Sequence, residues 1–170
     1  MLFDTVAAEW LFDEQYIAFV RACLRSARQR VLAQQFVVDP RPEEDQQGEV
    51  RYLLHALAEA AHKGLDVRVL LAQVLVERPH PIDINEPSAR FLIKRGVQVR
   101  RYPEALGVQM HAKALIVDDQ IVIAGGHNWT PSAFRINSET SMVLRSEECA
   151  AYVSERFETL WSKAEEYGNH

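Results

Sequence analysis

Hydrophobic residues along the chain alternate between two spacings, one typical of helices and one typical of strands. Four segments carry apolar residues at helical spacing, and short apolar runs lie between them. The predicted helices cover residues 13–29, 49–63, 86–95 and a C-terminal segment that begins at residue 147. The predicted strands cover residues 31–38, 66–71, 97–100, 110–118, 121–125 and 139–145. This succession predicts an α/β domain with a mixed, mostly parallel sheet flanked by helices on both faces.

Residues at the ends of the predicted helices support these boundaries. Gly64 follows the second helix, at the position where glycine commonly ends a helix. Asn85 is predicted to cap the start of the third helix, and Ser146 the start of the fourth. The fourth helix opens with two glutamates, whose charges interact favourably with the positive end of the helix dipole.

Length and composition indicate one ordinary globular domain. The chain has 170 residues, and about 150 residues per domain is typical. We therefore predict a single domain over residues 1–170. No apolar run reaches the ~20 residues that a membrane span requires. Two cysteines, Cys23 and Cys149, are too few for a disulfide framework, which favours reduced thiols and a cytoplasmic location.

The charge balance is acidic overall but uneven along the chain. Nineteen Lys and Arg residues stand against 24 Asp and Glu residues, which gives a formal net charge of −5. This charge argues against a wholly basic nucleic-acid-binding surface but is compatible with a local basic cleft. Residues 90–101 hold five basic side chains and no acidic one. Within this segment we expect Arg100 and Arg101 to flank a bound substrate.

His111 and Lys113 are the first candidates for chemistry. On a strand over residues 110–118 their side chains would point to the same face, roughly 7 Å apart along the chain. Histidine can attack or transfer protons near neutral pH, and lysine supplies a cation for an anionic substrate. Asp118 has the opposite parity and ends the strand, so we expect it to have a supporting role.

A hairpin between the two neighbouring strands would add further groups. If Asp119 and Gln120 form a two-residue turn, Lys113 lies opposite Gly126 and His111 lies opposite Asn128. The backbone at Gly125 and Gly126 would then be open to close approach by a ligand. One rim would then carry a histidine, a lysine, an amide and exposed backbone. This combination predicts an anion site.

The segment from His111 to Asn128 resembles the signature of the phospholipase D superfamily. That signature is His-x-Lys-x4-Asp followed by Gly-Ser/Gly-x-Asn, and here the second part is Gly125-Gly126-His127-Asn128, with glycine in place of the serine of many members. Glu139 falls where the family places a carboxylate that orients the catalytic histidine. The resemblance spans residues 14–163 and implies a phospholipase D-like fold.

The resemblance also implies a mechanism and an assembly. Family enzymes need two such motifs, whereas this chain has one, so it is similar to the short members that build one active site from two chains. The implied protein is a homodimer that cleaves phosphodiesters without a metal or other cofactor, through a phosphohistidine on His111. Lys113 and Asn128 would hold the phosphate oxygens.

Three functions stay open on the sequence alone. A nuclease acting on DNA or RNA is the favoured hypothesis, because the small dimeric members of this type resemble nucleases. A phospholipid phosphodiesterase is less favoured, because an acidic chain is weakly attracted to anionic membranes. A catalytically idle nucleic-acid-binding effector module is disfavoured, because His111, Lys113, Asn128 and Glu139 are all present.

Overall fold

An eight-stranded sheet forms the centre of the protein in a computed structural model that describes residues 6–41, 45–76, 79, 82–104 and 107–167. The strands are β1 (Ala7–Phe12), β2 (Arg30–Gln35), β3 (Asp66–Ala72), β4 (Leu75–Val76), β5 (Ile82–Asp83), β6 (Gln98–Tyr102), β7 (Ala114–Val117), β8 (Ile121–Gly125), β9 (Thr140–Arg145) and β10 (Glu165–Glu166). The helices are α1 (Glu14–Ser26), α2 (Glu49–His62), α3 (Glu86–Ile93), α4 (Pro131–Arg135) and α5 (Glu147–Trp161).

The order of strands in the sheet is β1-β9-β8-β7-β2-β3-β6-β10, and β4 pairs separately with β5. Two neighbouring pairings in the large sheet, β2 with β3 and β3 with β6, are parallel. The other five pairings of that sheet are antiparallel. The predicted mixed sheet is confirmed, but its parallel part is limited to the centre. The reason is that β7, β8 and β9 follow one another through turns or a short helix, which favour antiparallel neighbours.

Helices cover both faces of the sheet, as predicted. Helices α1 to α4 pack on one face, where fully buried side chains include Val20, Leu53, Leu57 and Trp129. Among the described helices only α5 packs on the other face, where its Phe157 and Leu160 join the second apolar core. Alternate residues of each central strand enter the two cores, which explains their continuous apolar runs.

Two predicted details of the turns and caps differ from the structure. The turn after β7 has three residues, 118–120, because Val117 pairs with Ile121. Asp118 and Asp119 both have positive φ angles, 52° and 56°, a conformation that aspartate tolerates better than most residues. Asn85 does not cap α3 through its side chain. Its amide instead hydrogen-bonds the backbone of the segment after β2 and of the last residue of β3. Ser146 does cap α5, accepting a hydrogen bond from the Cys149 amide.

Candidate active site

The candidate site lies where four strand ends meet at one edge of the sheet. β7 runs antiparallel to β2 and β8, and β8 runs antiparallel to β9. The end of β2, the start of β7, the end of β8 and the start of β9 therefore come together. This edge carries the His-x-Lys segment, the two glycines and Glu139.

His111 and Lys113 precede β7 instead of lying within it. The strand predicted for residues 110–118 begins only at Ala114. The Lys113 ammonium group nevertheless reaches back to His111, where Nζ donates to the backbone carbonyl at 2.8 Å and lies 3.1 Å from Nδ1 of the ring. His111 is exposed, whereas Lys113 is 7% exposed. The two side chains meet because the lysine side chain folds back towards His111. They do not meet by pointing to the same face of a strand.

Phe36, just after β2, forms the floor beneath this pair. Its ring centroid lies 4.3 Å from that of His111 and 4.8 Å from the Lys113 ammonium. Burial lowers the pKa of Lys113, and the nearby charge of Glu139 opposes that shift. Among the described residues no carboxylate lies within ion-pair distance of Lys113. Its charge is thus available to an anion at the surface of the site.

Gly125 and Gly126 bring the end of β8 unusually close to β9. A Cβ atom at Gly125 would overlap the backbone of Thr140 and Ser141, and one at Gly126 would overlap the carboxylate of Glu139. The Gly126 amide donates to the Thr140 carbonyl at 2.9 Å. This close contact gives a physical reason for glycine where the family often has serine, since the Glu139 carboxylate occupies the space of a side chain.

Asn128 is held by a hydrogen bond that the predicted hairpin register does not include. Its Oδ1 accepts a hydrogen bond from the Val37 amide at 3.3 Å. The predicted pairing of Asn128 with His111 across a hairpin is wrong, because the register is shifted by one residue and β8 ends at Gly125. The segment Phe36–Val37 instead contacts both His111 and Asn128. Within the described structure the Nδ2 group of Asn128 has no partner and can donate to a ligand.

Glu139 is anchored through its backbone. Its amide donates to the Asp13 carboxylate at 2.8 Å, and its carbonyl accepts from the Asp13 amide at 3.1 Å. Its own carboxylate accepts from Asn137 at 3.1 Å. Within the described part of one chain it does not contact His111, so its orienting role stays a prediction. Its charge acts on Lys113 and His127.

His127 is fully buried behind the site. Its ring stacks on Tyr16 with centroids 4.2 Å apart, and its Nδ1 lies 2.7 Å from the Ser141 hydroxyl. Its Nε2 lies 3.2 Å from the Asp13 carbonyl. Burial lowers the pKa of His127, which favours the neutral ring. These contacts make it a structural residue that holds β8, β9 and the start of α1 together.

The remaining predicted site residues lie elsewhere. Asp118 follows β7 at the end opposite to Lys113, and its carboxylate accepts hydrogen bonds from the amides of Arg28, Gln29 and Arg30. Arg100 donates to the Trp161 carbonyl at 3.0 Å, and Arg101 pairs with Glu165 at 3.3 Å. The structure therefore ties both arginines to the C-terminal segment and does not bring them to His111. The sequence of the basic segment does not predict these contacts, because the residues that the two arginines contact are far away in sequence.

Among the described residues no group of three or more His, Cys, Asp or Glu side chains is arranged to hold a metal ion. No helix in that part of the chain has the length and apolarity needed to cross a bilayer.

A comparison with models of known protein families shows which family this chain belongs to. The model of the family described as "Cardiolipin synthase, PLD-like domain" matches residues 20–161, most of the chain. The chain belongs to this phospholipase D-like family. The resemblance seen in the His-x-Lys segment is thereby confirmed.

Curated relatives of this phospholipase D-like chain include enzymes named for cardiolipin. The mitochondrial cardiolipin hydrolase of Canis lupus familiaris is 36% identical over 80 residues, 47% of this chain and 31% of that protein. Cardiolipin synthase A of Pseudomonas entomophila (strain L48) is 28% identical over 114 residues, 65% of this chain and 22% of that protein. The matched region is thus a third or less of the length of these relatives.

Solved structures with the same fold cover nearly the whole phospholipase D-like chain. Nuc from Salmonella typhimurium, a phospholipase D family member, superposes with a TM-score of 0.74 at 20% identity, over 96% of this chain and 99% of that chain. NucT from Helicobacter pylori superposes with a TM-score of 0.73 at 17% identity, over 96% of this chain and 100% of that chain. The predicted phospholipase D-like fold is confirmed.

Proposed function

We propose that this phospholipase D-like protein is a metal-independent phosphodiesterase that cleaves DNA or RNA. The observation that carries the proposal is the His111–Lys113 pair at 3.1 Å, in which a buried cation touches an exposed imidazole and forms no ion pair with any described carboxylate. A buried lysine of this kind needs an anion, and a phosphate next to His111 supplies one. Asn128 adds an amide donor to the same edge.

The chemistry follows from these groups in two steps. A ring nitrogen of His111 attacks phosphorus, so that a P–N bond forms while the P–O bond to the leaving alcohol breaks. The partner subunit's His111, protonated, gives its proton to that alcohol. The partner subunit's His111 then takes a proton from a water molecule, which attacks phosphorus and breaks the P–N bond. Lys113 and Asn128 hold the non-bridging oxygens, where negative charge grows in the transition state.

A homodimer supplies the second histidine in this proposal. The chain has one His-x-Lys motif, and a twofold axis near His111 brings two identical copies together. Exposed apolar side chains suited to such a contact lie on β1, where Trp10 and Phe12 are 57% and 50% exposed. β1 pairs with β9, so these rings lie on the strand next to the one that follows Glu139.

Phospholipid cleavage is the second candidate. Its support is that relatives of the matched region are named cardiolipin hydrolase and cardiolipin synthase. We place nucleic acid first because solved structures that match along nearly their full length include Nuc and NucT, whereas the match to the cardiolipin enzymes covers a third or less of their length. A cytoplasmic location is part of the proposal, supported by two buried, unpaired cysteines.

Trapping the covalent intermediate tests the proposal. Metal-free protein is mixed with a labelled oligonucleotide or with cardiolipin vesicles and quenched in alkaline denaturant, which preserves phosphohistidine. We expect the oligonucleotide to label the peptide that contains His111, and Lys113→Met to reduce that label. Label from lipid alone would favour the second candidate. Turnover without label on His111 would contradict the proposed mechanism.

A further inference from the structure

A cavity of about 250 Å³ opens beside His111, between the loop before β7 and helix α5. His111 lines its rim, and Tyr102, Met110 and Leu160 line its walls. These three side chains belong to the apolar core beneath α5. The cavity therefore extends that core up to the proposed nucleophile. It is smaller than the roughly 300–1,000 Å³ of drug-sized ligand sites, so it suits one ring system.

Gln34 gives this otherwise apolar cavity a polar group. The residue belongs to β2, lines the cavity and is 6% exposed. Among the described residues its side-chain amide has no protein hydrogen-bond partner, and its polar atoms are open to the cavity. A ligand that covers this amide without replacing its hydrogen bonds to water would lose about 1–3 kcal/mol. A primary amide offers both donors and acceptors. A ligand that enters the cavity and satisfies Gln34 must therefore present donors and acceptors on a compact, largely apolar body.

Arg156 adds a cation at the mouth of the cavity. It lies on α5, is exposed and lines the cavity. In the described structure it forms no ion pair. A phosphate joined to a group inside the cavity would find Arg156 on one side and the His111–Lys113 pair on the other.

We infer that this cavity is a subsite for one unpaired nucleobase, which the Gln34 amide recognises through hydrogen bonds. An acyl chain would fill the apolar walls but leave the amide unpaired, whereas every base carries donors and acceptors on its edge and an apolar face. A base can enter only when it is out of a duplex, so the preferred substrate is single-stranded nucleic acid. The inference rests on the proposed nuclease function and specifies its substrate.

The test compares Gln34→Leu with wild-type protein on single-stranded oligonucleotides of each base and on bis(4-nitrophenyl) phosphate, which needs no hydrogen bond to the amide. Gln120→Leu is the control, because Gln120 is an exposed glutamine in the turn beyond β7. We expect Gln34→Leu to raise KM for oligonucleotides about tenfold, the effect of one hydrogen bond, and to level the differences between bases. Gln34→Leu should change turnover of the small ester much less than its KM for oligonucleotides, and Gln120→Leu should change neither.

The unfolding transition of Gln34→Leu separates a binding role from a structural one. Its urea midpoint should be close to that of wild-type protein, because the substitution removes no hydrogen bond within the described residues and places an apolar side chain in a largely apolar wall. Wild-type oligonucleotide kinetics in a folded Gln34→Leu protein would overturn the inference while leaving the nuclease proposal intact. Wild-type protein that cleaves the ester but no oligonucleotide would overturn both. A lower KM of Gln34→Leu for phospholipid would identify the cavity as an acyl site and overturn the inference.

Discussion

Nζ of Lys113 lies 3.1 Å from Nδ1 of His111, although neither residue belongs to a regular strand. The lysine is held over Phe36 and by the His111 carbonyl. It is the buried member of the pair, so it positions charge while the exposed imidazole meets the substrate.

Removal of the Lys113 charge should cost activity without costing stability. Lys113→Met keeps the length and apolar part of the side chain, and we expect kcat/KM to fall by about 10²–10³, as for loss of one oxyanion donor. The free energy of unfolding should not decrease, because a buried cation is removed. Steady-state kinetics and urea titration measure the two effects. Lys94→Met serves as control, because Lys94 is an exposed lysine directly after α3. Equal kinetics for both variants would contradict the role of Lys113.

The two glycines of the site should respond differently to alanine. At Gly125 a methyl group meets the backbone of β9, which cannot move cheaply, and we expect a loss of about 1–3 kcal/mol in the free energy of unfolding. At Gly126 it meets only the end of the Glu139 side chain, so stability should change little while kcat falls as that carboxylate moves. Urea titration and kinetics of both variants measure this contrast. An active Gly126→Ala protein would show that the position of Glu139 is unimportant.

Much of the fold could be predicted from the sequence because most elements bury a periodic apolar face. Helix α5 follows its predicted cap, Ser146, and β3 covers its predicted apolar run. β1 was not predicted, since it is an edge strand whose Trp10 and Phe12 face outwards and give no burial pattern. α4 is one short turn with little periodicity.

The candidate site could be predicted by residue type but not by geometry. The hairpin register depends on the turn at Asp118 and Asp119, and their left-handed conformation adds a residue that sequence alone does not show. Phe36 and Gln34 lie about 75 residues before the motif, and only the pairing of β2 with β7 brings them to it. In the sequence, Gln34 and Gln35 appear only as a polar interruption of an apolar run, and Phe36 appears only as part of that run.

Asp118 should contribute to stability and not to catalysis. Its carboxylate accepts hydrogen bonds from three successive amides, those of Arg28, Gln29 and the first residue of β2, Arg30, at 2.8–3.1 Å. Asp118→Asn keeps one oxygen and tolerates the left-handed backbone, so we expect a loss of about 1–3 kcal/mol from weaker hydrogen bonds to an uncharged acceptor. Thermal or urea unfolding measures the loss, and kcat should stay close to that of wild-type protein. A folded but inactive Asp118→Asn protein would place this residue in the catalytic machinery after all.

Arg100 and Arg101 should act as ties to the C-terminal strand. Each forms an ion pair with a glutamate of β10, and Arg100 also donates to the Trp161 carbonyl. Arg100→Gln with Arg101→Gln should therefore increase proteolysis near residues 162–167, where the strand loses its partners. The salt dependence of nucleic-acid binding should not change. A reduced salt slope with an intact C-terminal segment would restore the original prediction that these arginines flank the substrate.

His127 should make stability depend on pH in the range where histidine titrates. Burial lowers the pKa of His127 below its ordinary value of 6.5, so the folded protein binds fewer protons than the unfolded chain just below that pH. Stability is then fully present above pH 6.5 and is lost as the pH falls through the lowered pKa. His127→Gln can still hydrogen-bond Ser141 but cannot titrate, and we expect it to flatten the change in the free energy of unfolding below pH 6.5. Urea titrations at several pH values measure this, with the exposed His62→Gln as control. A His127→Gln protein with the same pH dependence as wild-type protein would show that the buried imidazole is not the titrating group.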